Sequence, residues 1–263
     1  MADDPLDDFT SSELTFDGET KTVFRAGTGP GIVVMSEMPG ITPKVADFAR
    51  RLVAQGYTVA MPHLFGTPGK SPSNLYLAES FSRACVSGEF TTLAAGKRSK
   101  ATDWLRALGR QLHEECGGPG VGAIGMCFTG GFALALMLDD ALVAPVLSQP
   151  SVPFPVGKKL SRDLGLSDEE LTVVSERSAA GCDVLGLRFT EDSFVGDRFS
   201  RLTELFGDSF IGVEIDSSPG NPHGISKMAH SVVTEDLVDE PGHPTREALD
   251  TVLDFFSDRL LTV

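Results

Sequence analysis

The chain has 263 residues, 41% hydrophobic and 22% charged, a length and balance that allow a sizeable α/β core without disulfide or metal staples. Its 37 acidic and 22 basic side chains give a formal net charge of −15, so the surface repels phosphate and nucleic acid is excluded as a partner. The four cysteines show neither C-x-x-C nor zinc spacing, no run approaches the about eighteen apolar residues of a membrane span, and MADDPLDDF lacks a signal peptide's basic-then-apolar order. A cytoplasmic chain with reduced thiols, no metal and no membrane contact is expected.

In chain order, residues 1–13 read as an acidic, flexible lead, and residues 14–263 as a single α/β domain. Residues 14–24 alternate around Asp17-Gly18, a hairpin signal. Residues 31–35, GIVVM, form a buried-strand run. Residues 43–55 then put Val45, Phe48, Ala49, Leu52 and Val53 on one helical face, closed by Gly56. Strand 57–61 ends at Pro62-His63, and an irregular Gly/Pro/Ser-rich stretch to about residue 96 holds a helix near 76–85.

Residues 97–116 have an amphipathic stripe of Ala101, Trp104, Leu105, Leu108 and Leu112. Strand 121–125 runs into a tight turn and a helix over 130–138, followed by a strand over 141–147. Ser167 to Glu170 reads as a capping box opening a helix to about Ala180. Strands over 183–189 and 210–215 and a helix over 245–261 complete the chain. The alternation predicts a doubly wound, mostly parallel sheet with helices on both faces.

In such a sheet, functional groups gather beyond the carboxyl ends of the strands, where Glu37, His63, Cys127, Asp192, His223 and His230 fall. Gly125-Met126-Cys127-Phe128-Thr129-Gly130-Gly131 has the form of a nucleophile elbow, with a side chain held clear at a strand-to-helix turn between small residues. Thr129 is bulkier than the glycine usual there. An isolated thiol is mostly protonated at neutral pH. At this turn the helix amino end favours its anion, and the Phe128 amide is available as an oxyanion donor. Asp192 and His230 follow in the order nucleophile, acid, histidine, with Glu191 and Asp197 as competing acids. Cys85, Cys116 and Cys182 read as buried apolar side chains, while Phe128, Phe154 and Phe194 are candidates for pocket or core.

The elbow GMCFTGG, together with VVMSEMPG, RRLVAQGYTVAMPHLFG, LGLRFTEDSFVGDRF and AHSVV, resembles the dienelactone hydrolase family over roughly residues 22–260. The resemblance implies an α/β-hydrolase fold and a Cys127-Asp192-His230 triad. It also implies a glutamate, Glu37, that helps form the thiolate, and an oxyanion hole from the amides of Met38 and Phe128. Lactone or ester opening through an acyl-thioester follows, with no cofactor. Two positions depart from the family. Thr234 stands where an arginine clamps the substrate carboxylate, and His63 stands where an acid is usual. Arg83 is a candidate replacement cation, and His63, Arg83, His223 and Thr234 are candidate substrate contacts. The expected partner is a small lactone or activated ester, and the expected assembly a monomer or small homo-oligomer.

Two other readings compete: a non-catalytic small-molecule-binding or redox-sensing protein on the same fold, and a glutamine-amidotransferase-like site. Against the last, Ser231-Val232 follows His230 with no carboxylate two residues on.

Overall fold

The Asp17-Gly18 pair turns the chain in the left-handed region, with φ of +49° and +81°. It joins strands β1 (Thr10–Phe16) and β2 (Glu19–Ala26) in an antiparallel hairpin, Phe16 opposite Glu19. The computed structural model describes residues 2–86, 100–151 and 157–261, apart from the side chains of residues 81–86, 158 and 159. After the hairpin come β3 (Gly31–Met35), α1 (Pro43–Ala54), β4 (Thr58–Pro62), α2 (Asn74–Val86) and α3 (Lys100–Cys116). Then follow β5 (Val121–Met126), a 3-10 turn (Cys127–Thr129), α4 (Gly130–Leu136) and β6 (Leu142–Ser148). The remaining elements are α5 (Lys158–Ser161), α6 (Asp168–Ala179), β7 (Val184–Phe189), α7 (Arg198–Phe206), β8 (Phe210–Ile215) and α8 (Pro244–Leu260).

The strands form one sheet in the order β1-β2-β4-β3-β5-β6-β7-β8. β2 is antiparallel to both its neighbours, and every pair from β4 to β8 is parallel. Alternate side chains divide the core, as the two-residue period of a strand requires. Ile32 and Val34 pack with α1 and α8 on one face, and Val33 and Met35 with α3 and α4 on the other. Trp104 of α3 lies edge-on to Phe16 at 5.3 Å and donates its indole N–H to the Glu19 carbonyl at 3.0 Å, docking the hairpin. The expected box opens α6: Ser167 accepts the Glu170 N–H, and the Glu170 carboxylate accepts the Ser167 N–H at 2.9 Å.

The chain moves from β3 to β4 in one direction and on to β5 in the other, so the winding reverses between the adjacent strands β3 and β5. Ligand sites of doubly wound sheets lie at this crevice. Glu37 and Met38 follow one of these strands, Cys127 and Phe128 the other.

The sequence reading differs from the structure in three places. Residues 2–13 are docked, not frayed. Leu6 and Phe9 are buried, and the Arg50 guanidinium forks onto Asp4 and Asp8 over 2.7–3.0 Å. The Asp4 N–H also donates to the Gly69 carbonyl at 2.7 Å. Helix α7 was not anticipated, although Phe199, Leu202 and Phe206 are its buried stripe and the parallel β7–β8 pair requires a crossover. Cys116 and Cys182 are half-buried, with burial pushing the Cys182 thiol up. No helix among the described residues is long and apolar enough to cross a membrane.

Candidate active site

The elbow is built by close approach of backbone. Met126 is extended, and Cys127 then turns into the left-handed region with φ of +57°, a conformation that costs a side-chain-bearing residue about 1 kcal/mol or more. Thr129 holds it there. Its buried hydroxyl accepts the Met126 N–H at 2.7 Å and lies 2.9 Å from the Met35 carbonyl, tying the turn to β3. The threonine that departed from the expected glycine is thus the brace of the turn. A Cβ on Gly125 would lie 2.0 Å from the Thr129 carbonyl oxygen, and one on Gly130 would lie 2.7 Å from Pro150 Cβ. Because the obstacle at Gly125 is backbone, Gly125→Ala is expected to destabilise the fold by about 3 kcal/mol, readable as a lower urea midpoint. An unchanged midpoint would show that the turn relaxes freely.

The side chain at the tip of the elbow is nearly buried, with Cys127 7% exposed. Its sulphur lies 3.1 Å from the Ser151 hydroxyl, which arrives on the segment after β6. The Ser151 N–H donates to the Cys127 carbonyl, also at 3.1 Å. The helix behind the elbow, α4, is only seven residues long and begins after a 3-10 turn, so its aligned dipole is short.

Asp192 sits beyond β7 and His230 in the long loop after β8. Their contact is direct: His230 Nδ1–H donates to Asp192 Oδ2 at 2.7 Å. The other carboxylate oxygen of Asp192 accepts the Phe194 N–H at 3.0 Å, which fixes the acid's orientation. Asp236 anchors the histidine loop by accepting the N–H groups of His230 at 2.8 Å and Ser231 at 2.9 Å. The competing acids lie elsewhere. Asp197 accepts from Ser161, and Glu191 is held through its N–H by Ser217.

The imidazole lies within electrostatic reach of Cys127. Burial opposes its charge, but the Cys127 charge and the hydrogen bonds of Asp192 and Cys127 outweigh that penalty. The His230 pKa is pushed from 6.5 up to about 11.

Glu37 is buried in a cradle of uncharged donors. Ser231 Oγ–H donates to it at 2.6 Å, Gln149 Nε2–H at 2.9 Å, and Thr234 Oγ1–H more closely still. Burial pushes the Glu37 carboxyl above its ordinary 4.5, against the pull of the Ser231 and Thr234 hydroxyls and the His230 charge. A raised carboxyl holds its proton more tightly in the folded chain than in the unfolded one. Its stabilising contribution is therefore present at low pH and lost as pH rises above about 4.5. Glu37→Gln, always neutral, is expected to gain melting temperature relative to the parent as pH rises above about 4.5. A difference independent of pH would contradict this.

The other candidates are placed as follows. Thr234 is 1% exposed and committed to Glu37, so it supports the carboxylate and does not face a substrate. His63 bonds the Gly66 carbonyl of its own loop at 3.1 Å. His223 packs edge-on against His243, the N-cap residue of α8, with ring centroids 5.3 Å apart. Phe194 stands 5.6 Å from the His230 ring and is 46% exposed, a wall of the site and not core. Met38 and Phe128 are both partly exposed at the crevice. Arg83, Cys85 and Phe154 lie outside the described side chains. Ser151, Gln149 and Ser231 were not singled out from sequence as functional. Gln149 carries a left-handed φ of +38°, visible only in three dimensions. No cluster of His, Cys, Asp or Glu able to hold a metal occurs among the described residues.

A model of the dienelactone hydrolase family matches residues 19–260. Among solved structures, a putative dienelactone hydrolase from Klebsiella pneumoniae is similar at 15% identity, covering 95% of this chain and 98% of that one with a TM-score of 0.61. A dienelactone hydrolase from Anabaena variabilis is similar at 15% identity, covering 96% and 98% with a TM-score of 0.57. A dienelactone hydrolase-like promiscuous phosphotriesterase from metagenomic libraries is similar at 16% identity, covering 96% and 98% with a TM-score of 0.58. At these identities the likeness is one of fold, the α/β-hydrolase fold. No curated protein matches the chain.

Proposed function

The chain belongs to the dienelactone hydrolase family, and from that premise we propose that it opens lactones or cleaves small activated esters through Cys127, His230 and Asp192, by way of an acyl-thioester. The observation that carries this reading is the Asp192–His230 hydrogen bond of 2.7 Å, beside an elbow that holds Cys127 at its tip.

With Nδ1 held by Asp192, the other ring nitrogen is left for the sulphur. His230 takes the thiol proton, and the sulphur attacks the ester carbonyl. The amide N–H groups of Met38 and Phe128 bind the developing oxyanion. As the tetrahedral intermediate collapses, His230 returns the proton to the departing alkoxide. In a lactone that alkoxide stays tethered to the acyl chain. A water molecule then gives a proton to His230 and attacks the thioester, and the product acid leaves as the thiol is restored. Asp192 keeps the imidazole in one orientation and stabilises its cation throughout.

Uncharged esters and lactones are the substrate class that fits, since Thr234 is buried against Glu37 and offers no clamp for a substrate carboxylate. Phe194, exposed beside His230, suits an apolar substituent. A panel of activated esters and neutral and carboxylated lactones tests the reading. Turnover of the uncharged members supports it; turnover of none of them counts against it.

A further inference from the structure

We propose that Ser151 is a further catalytic residue of this site, its hydroxyl donating a hydrogen bond to the Cys127 sulphur when that sulphur is a thiolate. This rests on Cys127 being the nucleophile. The carrying observation is the 3.1 Å separation of Ser151 Oγ and Cys127 Sγ, both buried.

The hydroxyl does not reach the sulphur on a free tether. The Ser151 N–H is bonded to the Cys127 carbonyl at 3.1 Å, so two contacts clamp the segment after β6 onto the elbow. Pro150, which precedes it, sits against Gly130, where a Cβ would lie 2.7 Å from Pro150 Cβ. Backbone packing therefore sets the place of the hydroxyl before any substrate arrives.

Either group can donate while the sulphur carries a proton. Once that proton passes to His230, the sulphur only accepts and the serine hydroxyl must donate. The hydrogen bond is then charge-assisted, the stronger kind. It also holds the sulphur in one rotamer, where the short α4 offers little field. Attack on a carbonyl discharges the sulphur, and a thioester sulphur is a weak acceptor. The bond thus stabilises the reactant anion, and its benefit is the larger thiolate fraction at and below neutral pH.

That trade gives a signature that a structural role does not. A hydrogen bond to a charged group changes an ionisation equilibrium by about 10- to 100-fold. Part of this is cancelled because a more stable thiolate is a weaker nucleophile, with a Brønsted slope of about 0.4–0.5. Iodoacetamide labelling of Cys127 in Ser151→Ala is therefore expected to be about 3- to 10-fold slower than in the parent near pH 6. Near pH 10, above the ordinary thiol range, it should be equal or faster. Ser151→Thr keeps the hydroxyl and should follow the parent, and its isostere Ser151→Val should follow alanine. The threonine–valine pair decides the matter even if alanine does not fold.

Labelling rates unchanged at both pH values in the hydroxyl-free variants, or slowed equally at both, overturn the proposal while leaving Cys127 as nucleophile. If the parent itself labels no faster than free cysteine near pH 6 and turns over no ester, the nucleophile reading falls and this inference falls with it.

Discussion

Replacing Cys127 with alanine is expected to lower kcat on an activated ester by about 10⁴- to 10⁶-fold, the scale of losing the nucleophile from a group of residues that acts as a unit. Stability should fall by only about 1–2 kcal/mol, since the buried Ser151 hydroxyl loses its sulphur partner. Alanine has the same left-handed preference penalty as cysteine at φ of +57°, and the Thr129 brace of the turn does not involve the sulphur. Steady-state kinetics beside urea unfolding separates the two effects. Activity retained within about tenfold would place the chemistry elsewhere. Loss of activity together with the fold would show only that the elbow was damaged.

Asp192→Asn is the second large effect, expected to cost about 10²- to 10⁴-fold in kcat. The reason is the double duty of the native carboxylate, one oxygen accepting the Phe194 N–H and the other accepting from His230 Nδ1. An asparagine has one acceptor oxygen. If it stays with the backbone N–H, its amide N–H faces Nδ1, which must then be the unprotonated nitrogen. The proton moves to the ring nitrogen that should receive the thiol's, and the base is lost. Beside the Cys127 charge, which stays, the Asp192 hydrogen bond and charge raise His230; the same change removes them, so its titration, now pushed up to about 11, should move down. An NMR titration of the imidazole reads this directly. A variant with unchanged titration and near-normal kcat would show that Asp192 only shapes its loop.

Much of this was legible in the sequence because the relevant forces are local. The Ser167-to-Glu170 box and the Asp17-Gly18 turn are set within one turn of chain, and each forms as expected. The elbow was legible because its small residues are forced by backbone contacts a few residues apart, as the Gly125–Thr129 approach shows. The chain order of acid and histidine brought Asp192 and His230 forward. The choice of Asp192 over Glu191 and Asp197 is a matter of loop geometry that no pattern carries.

What the sequence did not disclose depends on partners far along the chain. The acidic lead reads as solvated because its composition is polar, yet Arg50 neutralises Asp4 and Asp8 and leaves Leu6 and Phe9 free to bury. Thr234 read as a candidate substrate contact, and only its burial against Glu37, 197 residues away in sequence, shows that it faces inward. Ser151 is an unremarked serine after a proline, with no motif to announce it. Its meaning comes from β6 lying beside β5, which carries it to the sulphur.

The most direct measurement is mass spectrometry of the enzyme quenched during turnover of an activated ester, before and after Cys127 is blocked with iodoacetamide. An acyl mass confined to the Cys127 peptide, removed by neutral hydroxylamine as a thioester is, and lost together with turnover on blocking, is the expected result. Turnover that continues with the thiol fully blocked, or acyl label on another side chain, contradicts it.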